Sequence, residues 1–207
     1  MEERAGANVT ARSFFIFMGP VLRTHEIGKT LIVAAQHILV LGVGNILLKD
    51  EGVGVRLIER LQGEYTFSPN VRLMDGGTLG IRLLDDITAA DCLIVVDAVR
   101  NDHPPGTLYR LPAEELKRCV SFKNSLHQTG LLETLAYAEM LGQRPTTVVV
   151  GIEPADISPW GTDLTPSVKE RMADLAREVL KEIQRAGGEA ARIDQCKGTD
   201  IHGGGAA

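Results

Sequence analysis

A chain of 207 residues can bury one substantial core, and its length favours a single domain over two. The formal net charge of −5, with Lys and Arg scattered along the chain, lacks the basic stripe that phosphate-backbone contact requires, so nucleic acid is not an expected partner. Cys92, Cys119 and Cys196 form no CxxC pair and leave one thiol over, which excludes a disulfide framework and a zinc knuckle and fits a reducing, cytoplasmic compartment; no apolar run approaches the ~20 residues that span a bilayer, so no membrane association is expected either.

Residues 1–36 show no clean periodicity. Acidic residues crowd the first positions and argue against a positively charged signal start. The Gly28-Lys29-Thr30 triplet lacks the earlier P-loop glycine, because Arg23 stands there. HEIGK, from His25, lacks the second histidine of a zinc-protease HExxH helix. The segment reads as an appended arm, either disordered or produced by a translation start placed too far upstream.

From His37 to Gly187 the pattern alternates between strand and helix signals. HILVLGV is a continuous apolar run, as expected of a parallel strand buried on both faces. EGVGVRLIERLQ places Gly54, Leu57, Ile58 and Leu61 on one helical face, with Arg56, Glu59 and Arg60 outward. NVRLMDGGT predicts a strand ending at Asp75 before a Gly76-Gly77 turn. GIRLLDDI predicts a short helix, DCLIVVDAV a second fully apolar strand and GTLYRL a shorter, more polar one. A helix is expected over 130–141, and TTVVVGIE is another buried strand. Thr165 and Pro166 then open a final helix as N-cap and first residue, with Val168, Met172, Leu175, Val179 and Ile183 as its core stripe. Residues 188–207 are Gly-rich and expected to be a flexible tail. The expected fold is a three-layer α/β domain over 37–187, a twisted and mostly parallel central sheet with helices on both faces.

Gly42-x-Gly44 after the first strand invites a dinucleotide reading, which the neighbouring residues oppose. The third glycine is replaced by Leu47, and Asp50 and Glu51 place negative charge where a helix start would receive a phosphate. The acidic pair suits a cation better. In a parallel α/β fold the site lies beyond the carboxyl ends of the strands. Glu51 follows the first strand, Asp75 ends the second, Asp97 ends CLIVVD, and His127 lies in SLHQTG ahead of a helix. Singly, each has a plain structural role: a helix-dipole acid, a turn acid before Gly-Gly, a strand-end cap and a surface imidazole. Together, two of these carboxylates and the imidazole make a partial coordination shell for a borderline ion such as nickel or zinc, with room left for a substrate. No GxSxG elbow is present. Cys119 with His127 is a conceivable thiol–imidazole pair, but nothing marks that thiol as activated.

ILVLGVGNILLKDEGVGVR, LMDGGTLG, LIVVDAV, LHQTGLLETLA and VVVGIEPADISPWGTDLTPSVKE together resemble the hydrogenase maturation endopeptidases, over about residues 37–187. The resemblance implies an endopeptidase that removes the C-terminal extension of a nickel–iron hydrogenase large-subunit precursor after nickel insertion. It also implies that Glu51, Asp97 and His127 are the metal-contacting and catalytic positions, and that Asp75 lies nearby. Nickel would arrive on the precursor and serve as the recognition element, with zinc or cadmium able to occupy the site as a surrogate. The enzyme is expected to act as a monomer on the nickel-loaded precursor. The rival reading is a non-catalytic nickel- or nucleotide-binding α/β module using the same crevice. The arm before His37 and the tail carrying Cys196 depart from the family pattern.

Overall fold

The computed structural model describes residues 24–27, 30–33, 35–112, 115, 126–158 and 160–193, with the backbone alone for 24–27, 30–33 and 126–129. The chain divides into two compact units, 1–34 and 35–207. In the first, β1 (Thr24–Ile27) pairs antiparallel with β2 (Thr30–Val33), Thr24 opposite Val33. Four-residue strands are too short for an alternating pattern to stand out, which is why no periodicity was visible there.

The second unit is built on a five-stranded sheet. Its strands are β3 (Ile38–Val43), β5 (Val71–Gly77), β6 (Cys92–Ala98), β7 (Leu108–Pro112) and β8 (Thr146–Ile152), in the spatial order β5-β3-β6-β8-β7. The first four run parallel, and β7 closes the edge antiparallel to β8. Every residue of β3 is buried, as a strand covered on both faces should be. Alternate side chains feed two separate cores. Ile38, Val40, Ile94, Val96, Val148 and Val150 pack under helix α1 (Val53–Glu64) and the C-terminal helix. Leu39, Leu41, Leu93, Val95 and Val149 pack on the other face with Leu83, Ile87, Leu131 and Leu135. Those last four belong to a 3-10 turn (Gly80–Leu83), helix α2 (Leu84–Thr88) and helix α3 (Leu126–Met140). The three-layer α/β architecture expected from the alternation is therefore present.

The C-terminal helix α4 (Pro166–Arg185) buries all five expected stripe residues. A smaller antiparallel pair joins β4 (Tyr65–Phe67) to β9 (Ala190–Arg192), so the first residues of the expected tail are hydrogen-bonded strand. Ala-Ala-Arg carries no strand signature of its own; it is specified by its partner.

Two differences from the sequence reading bear on the site. β5 runs two residues past Asp75, because an Asp75 side-chain oxygen accepts the Gly77 N–H at 2.8 Å and the Gly44 N–H donates to the Gly77 carbonyl at 2.9 Å. Helix α3 starts at Leu126 instead of 130, which puts His127 in its first turn and not in the loop before it. The glycine-bearing start of that helix was the obstacle, since Gly130 lowers helical propensity. It lies close to a neighbouring turn: a Cβ on Gly130 would stand 3.3 Å from the Gly80 Cα, a tight contact.

The connections set where a site can form. From β3 the chain passes through α1 to β5 on one side, then through α2 to β6 on the other side of β3. The crevice between the carboxyl ends of β3 and β6 is the topological switch point, where ligands of such sheets bind.

Candidate active site

Glu51 and Asp97 flank this switch point. Glu51 lies in a 3-10 turn (Lys49–Gly52) between β3 and α1, and that turn packs against β6, which carries Asp97 at its next-to-last position. Glycine makes the approach close. A Cβ on Gly44 would stand 1.8 Å from the Glu51 carbonyl oxygen, and one on Gly54 would stand 2.2 Å from the Val96 carbonyl oxygen, immediately before Asp97. Gly44 also has φ +122°, where a side chain is strained. The GxG pair thus serves a protein contact: the space beside Gly44 holds the backbone of Glu51. Asp97 is 3% exposed, and its Oδ1 accepts the Ala98 N–H at 2.8 Å.

Asp50, read in the sequence as half of an acidic pair at a helix start suited to a cation, is the structural keystone of this edge. It is fully buried. Its Oδ2 accepts the N–H groups of Ala155 (2.9 Å) and Asp156 (3.0 Å) and the Thr165 hydroxyl (2.8 Å), while Oδ1 accepts the Thr165 N–H (2.7 Å). Thr165 does precede α4, with Pro166 at the helix start, but its hydroxyl is turned to Asp50 and makes no cap bond. The loop after β8 is thereby fastened to the turn that carries Glu51. Replacing Asp50 with alanine strands three backbone donors and one hydroxyl in a buried place, so a stability loss of about 3–5 kcal/mol is expected. Thermal or urea unfolding of Asp50→Ala checks this, and a midpoint equal to that of the unsubstituted protein would show that the bonds contribute little.

Glu153, just beyond β8, braces the neighbouring loop. Both of its carboxylate oxygens accept the Asn101 N–H, at 3.1 and 2.9 Å, and the Tyr109 hydroxyl donates to it. Burial, and then that hydrogen bond, push the Tyr109 hydroxyl above its ordinary pKa. The loops after β3, β6 and β8 are thus tied together by two buried carboxylates. A glutamate closing the apolar run TTVVVGIE was the available signal for Glu153; its partners lie about fifty residues upstream. At the surface, Lys49 pairs with Asp156 and donates to the Ser158 hydroxyl at 3.2 Å. The Lys49 and Ser158 contacts hold the Asp156 carboxyl well below the usual carboxylate range. An open cleft of about 570 Å³, lined by Arg100, His103, Glu153, Ala155 and Asp156 among others, lies beyond the ends of β6 and β8.

Of the expected set, the structure brings Glu51 and Asp97 to the same crevice. His127 begins the helix packed against the turn that follows β5, and its side chain lies outside the described residues. Among the described residues no three His, Cys, Asp or Glu side chains form a metal-binding group. Asp75 sits at the same carboxyl edge, exposed, with Oδ1 committed to its turn.

The sequence matches the hydrogenase maturation protease family over residues 55–182. It is 45% identical over 158 residues to the hydrogenase expression/formation protein HupD of Thiocapsa roseopersicina, covering 75% of this chain and 72% of that one. It is 40% identical over 157 residues to the hydrogenase 2 maturation protease of Escherichia coli, covering 75% and 95%. The structure of the hydrogenase maturating endopeptidase HybD from E. coli superposes with a TM-score of 0.71 at 39% identity, over 75% of this chain and 97% of that one. The chain belongs to the hydrogenase maturation protease family.

As a maturation protease it is a peptidase, and burial disfavours the ionised, nucleophilic form of its described thiol. Burial, then the charges of Glu182 and Asp91, push the Cys92 thiol up to about 11. At pH 8 only about one thiol in a thousand is then ionised. Cys92 of the folded maturation protease is expected to resist iodoacetamide at pH 8 and to react once unfolded in urea, as peptide mass mapping would show. Cys119 lies outside the described residues. Among the described residues no helix is long and apolar enough to cross a membrane.

Proposed function

We propose that this maturation protease cuts the C-terminal extension from the large-subunit precursor of a nickel–iron hydrogenase after nickel insertion, with the nickel of the substrate as the recognition element. What supports the reading is that the turn carrying Glu51 packs against β6, whose next-to-last residue is Asp97, at the β3/β6 switch point. His127 is the third member of the set. Two carboxylates and an imidazole are a partial shell for nickel held on substrate thiolates, and by completing it they fix the scissile bond beside the metal. The cleft lined by Arg100 and His103 has room for the chain on one side of that bond. Water adds across the peptide bond: its oxygen joins the carbonyl carbon, the C–N bond breaks, and the released amine takes a proton. Zinc or cadmium is a surrogate for nickel at these positions. The enzyme works as a monomer in the cytoplasm.

The test is incubation of the purified protein with nickel-loaded precursor, followed by intact-mass determination. A single cut near the precursor's C-terminus is the expected outcome. An unchanged precursor mass would overturn the proposal.

A further inference from the structure

Five large apolar side chains stand exposed on the loops at the carboxyl edge of the sheet. Ile46 and Leu47 lie between β3 and the Glu51 turn, Leu79 and Ile81 follow β5, and Trp160 follows β8. The loops are joined by backbone. The Gly161 N–H donates to the Leu47 carbonyl at 3.0 Å, the Lys49 N–H donates to the Gly161 carbonyl at 2.7 Å, and Leu48 and Gly161 form a parallel bridge. The Gly44-to-Gly77 bond links the stem of the first loop to that of the second.

Trp160 is the most telling of the five. It is 84% exposed and has φ +68°, a left-handed conformation that is costly for a bulky residue. Water is a poor environment for its indole, and glycine would fit that backbone without strain. A strained, outward tryptophan beside a catalytic edge is the signature of a contact made with a partner, because tryptophan anchors are enriched where interfaces bury most of their energy. Lys49 and Asp156, the charged residues of the same loops, are paired with each other.

We infer that Ile46, Leu47 and Trp160 form an apolar rim that docks an apolar segment of the precursor polypeptide next to the scissile bond. The inference rests on the proposed peptidase reaction, because the loop carrying Leu47 leads directly into the turn carrying Glu51. Leu47 is only four residues from Glu51 in the chain, and Trp160 is held beside Leu47 through Gly161. The role is binding in the ground state, so it belongs in KM and not in kcat.

The experiment measures kcat and KM for nickel-loaded precursor with the wild type, Leu47→Ser and Trp160→Gly, together with melting temperatures and sedimentation of each. Both side chains are exposed, and the glycine relieves the strain at position 160, so folding is retained. Loss of an anchor of this kind is expected to raise KM about tenfold or more at unchanged kcat. An unchanged KM in both folded variants, with the wild type active, would overturn the rim and leave the peptidase reading standing. A fall in kcat alone would also overturn it, since the loops would then act on the reacting groups. A wild-type dimer that both substitutions dissociate would assign the surface to a second copy of the chain. A wild type that leaves the precursor uncut defeats the peptidase reading itself, and the inference with it.

Discussion

Glu51→Gln, Asp97→Asn and His127→Ala proteins are each expected to stay folded and to lose precursor processing by about a hundredfold or more. The first two exchanges conserve shape. Glutamine in the partly exposed turn at position 51 leaves the backbone contact with Gly44 intact, because that contact is made by the main chain. Asparagine at 97 keeps an oxygen to accept the Ala98 N–H. What each loses is an anionic donor at the switch point, and a metal held by two remaining donors no longer fixes the peptide bond in one geometry. Intact-mass assays alongside thermal melts separate the effects. Full activity in any folded variant would remove that residue from the site, and a collapse in melting temperature would mark it as structural.

The strands were legible because a parallel sheet covered on both faces writes continuous apolar runs, and HILVLGV, CLIVVD and TTVVVGI are such runs. The position of Glu51 and Asp97 at the carboxyl edge was legible for a related reason: in this topology the residues after those runs stand at that edge. Asp50 was not, although it is adjacent to Glu51. Its partners are backbone N–H groups more than a hundred residues away, and a donor that every residue possesses leaves no mark in the sequence. The two glycines show the same asymmetry. Their spacing announced a close approach, but not whether phosphate or protein would fill it, and the Glu51 carbonyl fills it. The strand β9 is fixed by pairing with distant backbone, and the strained Trp160 precedes Gly161, which bridges to Leu48, so they too escape a local reading.

Cleavage of nickel-loaded precursor, with none of the metal-free form, is the second large effect expected. Neither HExxH nor a serine elbow occurs in the chain, and the one described thiol is held protonated. Two acids and a histidine supply too few donors for a closed structural site, whereas in the proposed reaction thiolates on the precursor would complete a shell suited to nickel. Removing the metal from the substrate then removes the link between the two proteins at the reacting bond, and with it the effective concentration that makes attack by water fast. The apolar rim alone would leave the bond unplaced. Treating the protease with a chelator and then removing the chelator is therefore expected to leave activity on nickel-loaded precursor unchanged. Rapid cleavage of the metal-free precursor would overturn substrate nickel as the recognition element, because peptide sequence would then suffice. Activity lost after chelation of the protease alone and restored by added metal would assign the ion to the enzyme instead, with Glu51, Asp97 and His127 as resident ligands.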